Sequence, residues 1–294
     1  MMDRLAFIGT VAGGLLAIPL AAEAQPAGKV YRIAYFQVLP RAQNEQMLKA
    51  LEEGLRERGY VPGQNIFIEY RFADGKSERL PELAAELVRL KVDVIVTGQN
   101  PATVAAKQAT TTIPIVTTLA SDPVGAGLIA SLARPGGNIT GLTTDVTPEV
   151  GGKRLQLLKE FAPRVSRVAV LWNPAFRGVE PKPAFQALED AARRLRVTLR
   201  KVEVREPGDV ERAFDRMVSE RADGLYVITD PITFTHRRLI ADLAVKNRLA
   251  AMFAASEFVG AGGFMSYGAN AADLYRRAAT YVDKILKGAK PADL

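Results

Sequence analysis

Apolar residues recur along this chain at two spacings that take turns. Short apolar runs at Tyr31–Phe36, Asp93–Thr97, Ile113–Thr117, Arg167–Trp172, Gly224–Thr229 and Ala250–Phe253 read as strands. Between them lie stretches of helical period. Met47, Leu48, Leu51 and Leu55 share one face of Glu45–Arg58, and Gly59 stops that helix. Leu80, Leu83, Ala84, Leu87 and Val88 form a stripe behind a capping Ser77. The same reasoning predicts helices over Pro101–Ala109, Val124–Ala133, Lys153–Phe161, Phe185–Leu195, Val210–Ser219, His236–Lys246 and Ala272–Leu286. Further strands are expected at Asn65–Phe72, Thr198–Val204 and Gly263–Tyr267. Strand-helix alternation of this kind predicts an α/β fold, with parallel sheets covered by helices on both faces.

The pattern restarts midway. Val30-x-Arg32-Ile33-Ala34 returns as Val165-x-Arg167-Val168-Ala169, 135 positions on. Leu87-Val88 to Asp93 returns as Met217-Val218 to Asp223, 130 on, and Ile113 with Ser121-Asp122 as Leu249 with Glu257-Phe258, 136 on. Three echoes near one offset, in one order, favour two similar α/β lobes over a single continuous sheet.

Residues 1–24 interrupt this scheme. Arg4, an apolar run from Leu5 to Leu20 and Ala22-Glu23-Ala24 read as a cleaved secretory signal, with Gln25 as the mature start. The run is short and broken by Gly and Pro, which argues against a membrane span. No cysteine follows it, so no lipid anchor is expected, and the predicted location is periplasmic or secreted. Without residues 1–24, 38 basic side chains face 30 acidic ones, a net of +8. These charges are scattered, so nucleic acid is not an expected partner.

Composition also narrows the chemistry. With no cysteine and one histidine among 294 residues, disulfides, thiolate nucleophiles and His-pair metal sites are excluded. Gly125-x-Gly127 lacks the third glycine of a dinucleotide fingerprint, and there is no phosphate loop or Gly-x-Ser-x-Gly elbow. His236, between Thr235 and two arginines, reads as a surface residue. No cofactor, metal or enzyme activity is expected. In open parallel sheets, ligands bind beyond the carboxyl ends of the strands. The loops there are Gln37–Pro40, Gly98–Pro101, Ser121–Pro123, Asn173-Pro174, Thr229–Pro231 and Ser256-Glu257. Each is also a good helix cap, yet six polar loops at equivalent ends point to a ligand cleft that hinge closure would shut. Tyr35, Phe36, Trp172 and Tyr226 read as core, whereas Phe176 and Phe258 are candidates to stack on an apolar ligand.

From Ser121-Asp122-Pro123-Val124 through Pro135-Gly136-Gly137-Asn138-Ile139-Thr140-Gly141, the sequence resembles the substrate-binding proteins of tryptophan/tyrosine-type ABC importers. Gly59–Asn65, Ser266-Tyr267-Gly268 and Ile285–Leu294 extend the likeness over nearly everything after the signal. The resemblance implies a type I periplasmic-binding architecture, two Rossmann-like lobes with parallel sheets around a hinged cleft. One lobe would hold residues 29–141 and 269–294, and the other residues 142–268. Asn138–Thr144 would be the first crossing and Gly263–Gly268 the return. It further implies a monomer that captures a small carboxylate, by default an amino acid and in some members an aromatic one, for a membrane permease. By position, Ser121 and nearby amides would hold the carboxylate, and Asp122, Asp230 or Glu257 the ammonium. Gln37, Gln99, Asn100 and Asn173 would supply directional hydrogen bonds. The family usually continues past Lys290–Leu294, so the second lobe is expected to lack its last segment. A ligand sensor for a membrane signalling partner, and a hydrolase-type enzyme on the same frame, are the alternative readings.

Overall fold

The computed structural model describes residues 29–145, 149–174 and 182–294. The expected signal, Phe176 and most of the loop after Asn173 lie outside them. Strands β1 (Tyr31–Gln37), β2 (Ile66–Phe72), β3 (Val94–Thr97), β4 (Ile115–Ser121) and β5 (Ile139–Asp145) form one sheet in the order β2-β1-β3-β4-β5. Strands β6 (Arg167–Trp172), β7 (Thr198–Glu203), β8 (Gly224–Val227), β9 (Ala250–Phe253) and β10 (Met265–Ser266) form a second, β7-β6-β8-β9-β10. Every pairing in both sheets is parallel. The two orders are the same, which is the doubling that the sequence echoes predict.

The echoes have a physical cause. Asp93 precedes β3; its carboxylate accepts the Arg32 amide at 2.8 Å, while its own amide donates to the Arg32 carbonyl at 2.6 Å. Asp223 precedes β8 and does the same with Arg167, at 2.7 and 3.0 Å. In each sheet this clasp fixes the register of the first strand against the third. Burial works against the charged Asp223 carboxylate, yet the amides of Arg167 and Ser166 and the Ser166 hydroxyl hold its pKa below the usual range.

The helices are α1 (Arg41–Arg56), α2 (Leu80–Arg89), α3 (Asn100–Ala109), α4 (Val150–Phe161), α5 (Lys182–Leu195), α6 (Asp209–Ser219), α7 (Pro231–Thr235), α8 (Arg237–Lys246), α9 (Ser256–Gly260) and α10 (Ala271–Leu286). One helix expectation needs correction. Val124–Ala133 is a run of turns. Asp122 takes a positive φ of 40° and caps the Gly125 amide, Gly127 sits at φ 65°, and Pro123 accepts from both Leu128 and Ile129. Two glycines and this side-chain capture of an amide outcompete a helix whose apolar stripe is weak. The helix expected over His236–Lys246 is α8, with His236 as its N-cap, and a short helix that was not expected, α7, precedes it behind Asp230.

Asn138–Thr144, expected as a crossing segment, largely pairs as the edge strand β5 before the chain passes to α4. After β10 the chain returns, and α10 packs on α1 and against β4 and β5 of the first sheet. Tyr60 donates to Asp283 at 3.1 Å, Arg58 to Thr280 at 2.6 Å, and Arg276 pairs with Glu57. Gly54 makes the approach possible, because a Cβ there would lie 2.4 Å from the Arg276 carbonyl oxygen. Gly54→Ala should therefore cost about 1–3 kcal/mol through overpacking, read as a lower urea midpoint at unchanged m-value. Unchanged stability would show that α1 and α10 do not pack this closely.

Candidate functional site

The carboxyl ends of both sheets open onto one cavity of about 350 Å³, a volume suited to a small organic ligand. Its polar groups gather on the first-lobe wall: Gln37 at the end of β1, Gln43 and Asn44 on α1, Gln99 and Asn100 at the start of α3, and Ser121 and Asp122 after β4, with Tyr275 reaching in from α10. Leu39, Met47, Leu119, Val124 and Leu132 stand among them. The second-lobe wall is mainly apolar, with Phe185 and Leu188 from α5, Tyr226 to Ile228 along β8, Phe234 from α7, and Ala254 and Ala255 after β9. Thr229, Arg154 and Glu257 are its polar exceptions.

Six of the eight expected site residues line this cavity: Gln37, Gln99, Asn100, Ser121, Asp122 and Glu257. They do not stand equally free. Asn100 is buried, and its amide is engaged with the Ser121 main chain, donating to the carbonyl at 2.7 Å and accepting from the amide at 3.0 Å. It positions the loop. Asp122 lends Oδ1 to the Gly125 amide at 2.9 Å. Gln37 is 4% exposed; its Oε1 accepts from the Tyr275 hydroxyl at 3.1 Å, and its Nε2 has no partner among the described residues. Gly98 leaves the room for this, since a Cβ there would fall 2.2 Å from Gln37 Oε1.

Asn173 and Asp230 are not among the lining residues. Asp230 is fully buried as the N-cap of α7, accepting from the amides of Ile232 at 2.7 Å and Thr233 at 3.1 Å, while its own amide donates to the Thr233 hydroxyl at 2.9 Å. Burial pushes its pKa up to about 6, against the pull of those amides, the Thr233 hydroxyl and Asn173. Its place in the capping box makes it a brace for the Thr229 loop rather than a ligand contact. Phe258 is also corrected: it is fully buried, stacked on Phe253 at 4.6 Å and edge-on to Phe234 at 6.3 Å. Phe234 supplies the ring at the cavity in its place.

Sequence reasoning passed over Arg154, Tyr275, Asn44 and Phe185. Arg154 follows Lys153 and reads as half of a surface pair, yet it is 5% exposed and its Nε donates to the Tyr267 carbonyl at 2.7 Å. Tyr275 belongs to the apolar stripe of α10 with Leu274, Ala278 and Val282. Its hydroxyl role depends on the docking of α10 onto the first lobe, which no local pattern encodes. Among the described residues, no three His, Cys, Asp or Glu side chains come together to hold a metal ion.

Two matched parallel sheets whose carboxyl ends open onto one shared cavity define a two-lobed α/β binding protein of type I periplasmic architecture. The chain belongs to the ABC transporter substrate binding protein family, whose model matches residues 32–294. It is 26% identical over 266 residues to a tyrosine-binding protein of Clostridioides difficile (strain R20291), covering 90% of this chain and 75% of that one. A conserved domain protein from Vibrio cholerae superposes with a TM-score of 0.83 at 28% identity, covering 90% of this chain and 88% of that one. A Streptococcus pneumoniae ABC domain in complex with L-Trp gives 0.82 at 24% identity over the same shares. The ligand-free, open structure of a Clostridium difficile substrate binding protein with adhesive properties gives 0.65 at 27% identity, again over 90% and 88%.

The buried Asp230 carboxyl generates a pH signature. Its folded pKa lies above the unfolded value of about 3.9, so between about pH 4 and 6 the folded state holds a proton that the unfolded state has released. Stability from this group therefore rises as pH falls through that window. Asp230→Asn keeps a good N-cap and should remove about 3 kcal/mol of this dependence. Chemical denaturation across pH 4–7 checks it, and identical slopes for the two proteins would contradict the placement of Asp230.

Proposed function

We propose that this protein is an extracytoplasmic receptor that captures an amino acid with an apolar or aromatic side chain and delivers it to a membrane ABC permease. The observation that carries this reading is a largely apolar interlobe cavity whose polar groups are concentrated on the first lobe. The amide and hydroxyl groups of the first lobe suit the charged end of an amino acid. Phe185, Tyr226, Ile228 and Phe234 in the second suit an apolar side chain. Asp122 and Glu257 are the acids at the cavity that would meet an ammonium, and Ser121 with the first amides of α3 would meet the carboxylate. The lobes are 29–141 with 269–294 and 142–268, with capture by hinge closure. The chain superposes on the open, ligand-free relative with a TM-score of 0.65 at 27% identity, which supports reading this arrangement as one different from that open state. No described helix is long and apolar enough to cross a membrane, in keeping with a partner that supplies the membrane-spanning part. The protein acts as a monomer and leaves its ligand chemically unaltered.

Binding should be visible twice. A ligand at 100 times its Kd stabilises the folded state by about 2.7 kcal/mol, roughly 5 °C in Tm for a chain of this size. The protein has a single tryptophan, Trp172, whose ring lies edge-on to the cavity residue Phe185 at 5.4 Å. A panel of amino acids and aromatic acids should yield one class that both raises Tm saturably and shifts Trp172 emission. A panel that moves neither overturns the assignment.

A further inference from the structure

The amino edge of the second sheet lies opposite the edge that opens onto the cavity, and three helices end on it in the same way. Phe161–Arg164 closes α4, Val218–Arg221 closes α6 and Val245–Arg248 closes α8, each an apolar residue with an arginine three positions on. The apolar residues are 64%, 51% and 65% exposed. Arg196 directly follows α5. Arg196, Arg221 and Arg248 each hold φ at 55°, a left-handed conformation that glycine and asparagine take at least cost. A cation at a helix C-terminus is favourable by itself. That accounts for each arginine singly, but not for the bare apolar residue ahead of three of them. These groups form one surface. The strand order sets Arg196, Arg164, Arg221 and Arg248 in a row, about 14 Å from end to end at about 4.8 Å per strand. Arg164 and Arg248 share one open depression, Arg167 Nε donates to the Arg221 carbonyl at 2.6 Å, and the exposed Phe264 meets Phe161 edge-on at 4.8 Å. The acids that flank the row in sequence are engaged elsewhere: Glu220 pairs with Arg216 at 2.9 Å, and Asp223 accepts from the Ser166 and Arg167 amides and the Ser166 hydroxyl. The matching edge of the first lobe is neutralised instead, with Lys29 on Asp93 at 3.5 Å and Arg32 on Glu69 at 3.7 Å.

We propose that this edge of the second lobe rests on an anionic phospholipid surface. Guanidinium groups suit phosphate oxygens, which they can meet with two parallel hydrogen bonds. The apolar residues stand singly between the arginines and surround no pocket that could seat an anchor, whereas a protein partner calls for a central, desolvated pocket. A bilayer supplies both chemistries at every point, phosphates at its surface and acyl chains just beneath, so an interleaved and nearly flat array fits it. The contact would hold the receptor beside the membrane by its far end, with the cavity at the opposite edge of the sheet left clear.

The test is co-sedimentation of the protein with vesicles of phosphatidylcholine, either pure or with about 30% phosphatidylglycerol. The wild-type protein should bind the anionic vesicles at least tenfold more tightly than the neutral ones, and less tightly as salt rises. Each arginine beside such a surface contributes roughly fivefold in affinity. The triple variant Arg196→Asn, Arg221→Asn and Arg248→Asn should therefore bind the anionic vesicles at least thirtyfold more weakly. Asparagine accepts the left-handed backbone at all three positions, so this variant should melt at or near the wild-type temperature. Val218→Ser with Val245→Ser should weaken vesicle binding at least threefold while keeping its salt dependence. An environment-sensitive dye on Ser219→Cys, in the last turn of α6, should shift to the blue with anionic vesicles, and the same dye on Ser77→Cys of the first lobe should not. Polyglutamate at equal charge should compete at least tenfold more weakly than the vesicles. Equal binding to neutral vesicles, no binding to either kind, or wild-type affinity in the triple variant would overturn the proposal. Polyglutamate that competes as well as the vesicles would overturn it in favour of an acidic protein partner. None of these outcomes touches the receptor reading, which the thermal and Trp172 measurements test by themselves.

Discussion

A parallel sheet has a direction. All its strands end at the same edge, and each following helix begins there with amides that lack intrahelical partners. The rest of this molecule depends on that polarity being set twice, in the same order, and on the two polar edges meeting at one cavity. The Asp93 and Asp223 clasps hold the pattern in each sheet by tying the strand that opens each lobe to its third strand. Once the sheets are set, loops that would otherwise be ordinary helix caps converge from two directions on a shared space.

The lobes then divide the chemistry. Asn100 engages the Ser121 main chain, the Thr97, Thr103 and Thr117 hydroxyls link up behind the loops, and Tyr275 turns the Gln37 amide. Much of the polar surface of the first lobe is therefore bonded in advance, which lowers the ordering cost of binding. The second lobe brings rings and aliphatic side chains, with few polar groups. Closure thus buries apolar area against a preorganised polar face, and the ligand is needed to complete both.

The fold was largely legible because its signals are local and repeated. Strand runs such as Arg167–Trp172 and helical stripes such as Leu80–Leu87 stand out from composition alone, and the Asp93 and Asp223 echo is a register device that leaves a trace in the sequence. The turns at Val124–Ala133 are hidden in the sequence because a weak apolar stripe masks the effect of Gly125 and Gly127, and the Asp122 side chain captures the local amide. The site was legible only where it follows from topology. Gln37, Gln99, Ser121, Asp122 and Glu257 sit at or just beyond strand ends, so their position predicts the cavity. Asp230 shares that position but turns its carboxyl into its own helix cap, the alternative that Asp-Pro at a helix start also allows, and position alone does not choose between the two. Arg154 and Tyr275 lie on helices and enter the site through tertiary packing alone.

Ligand-dependent closure of the two lobes is the central claim, and an interlobe distance measures it directly. The chain has no cysteine, so spin labels on the exposed positions Glu45→Cys and Arg238→Cys report one distance, from α1 to α8. Pulsed dipolar spectroscopy should show a broad, longer distribution in the empty protein that becomes shorter and narrower with a saturating aromatic amino acid. Superimposable distributions, with binding established separately, would contradict the account.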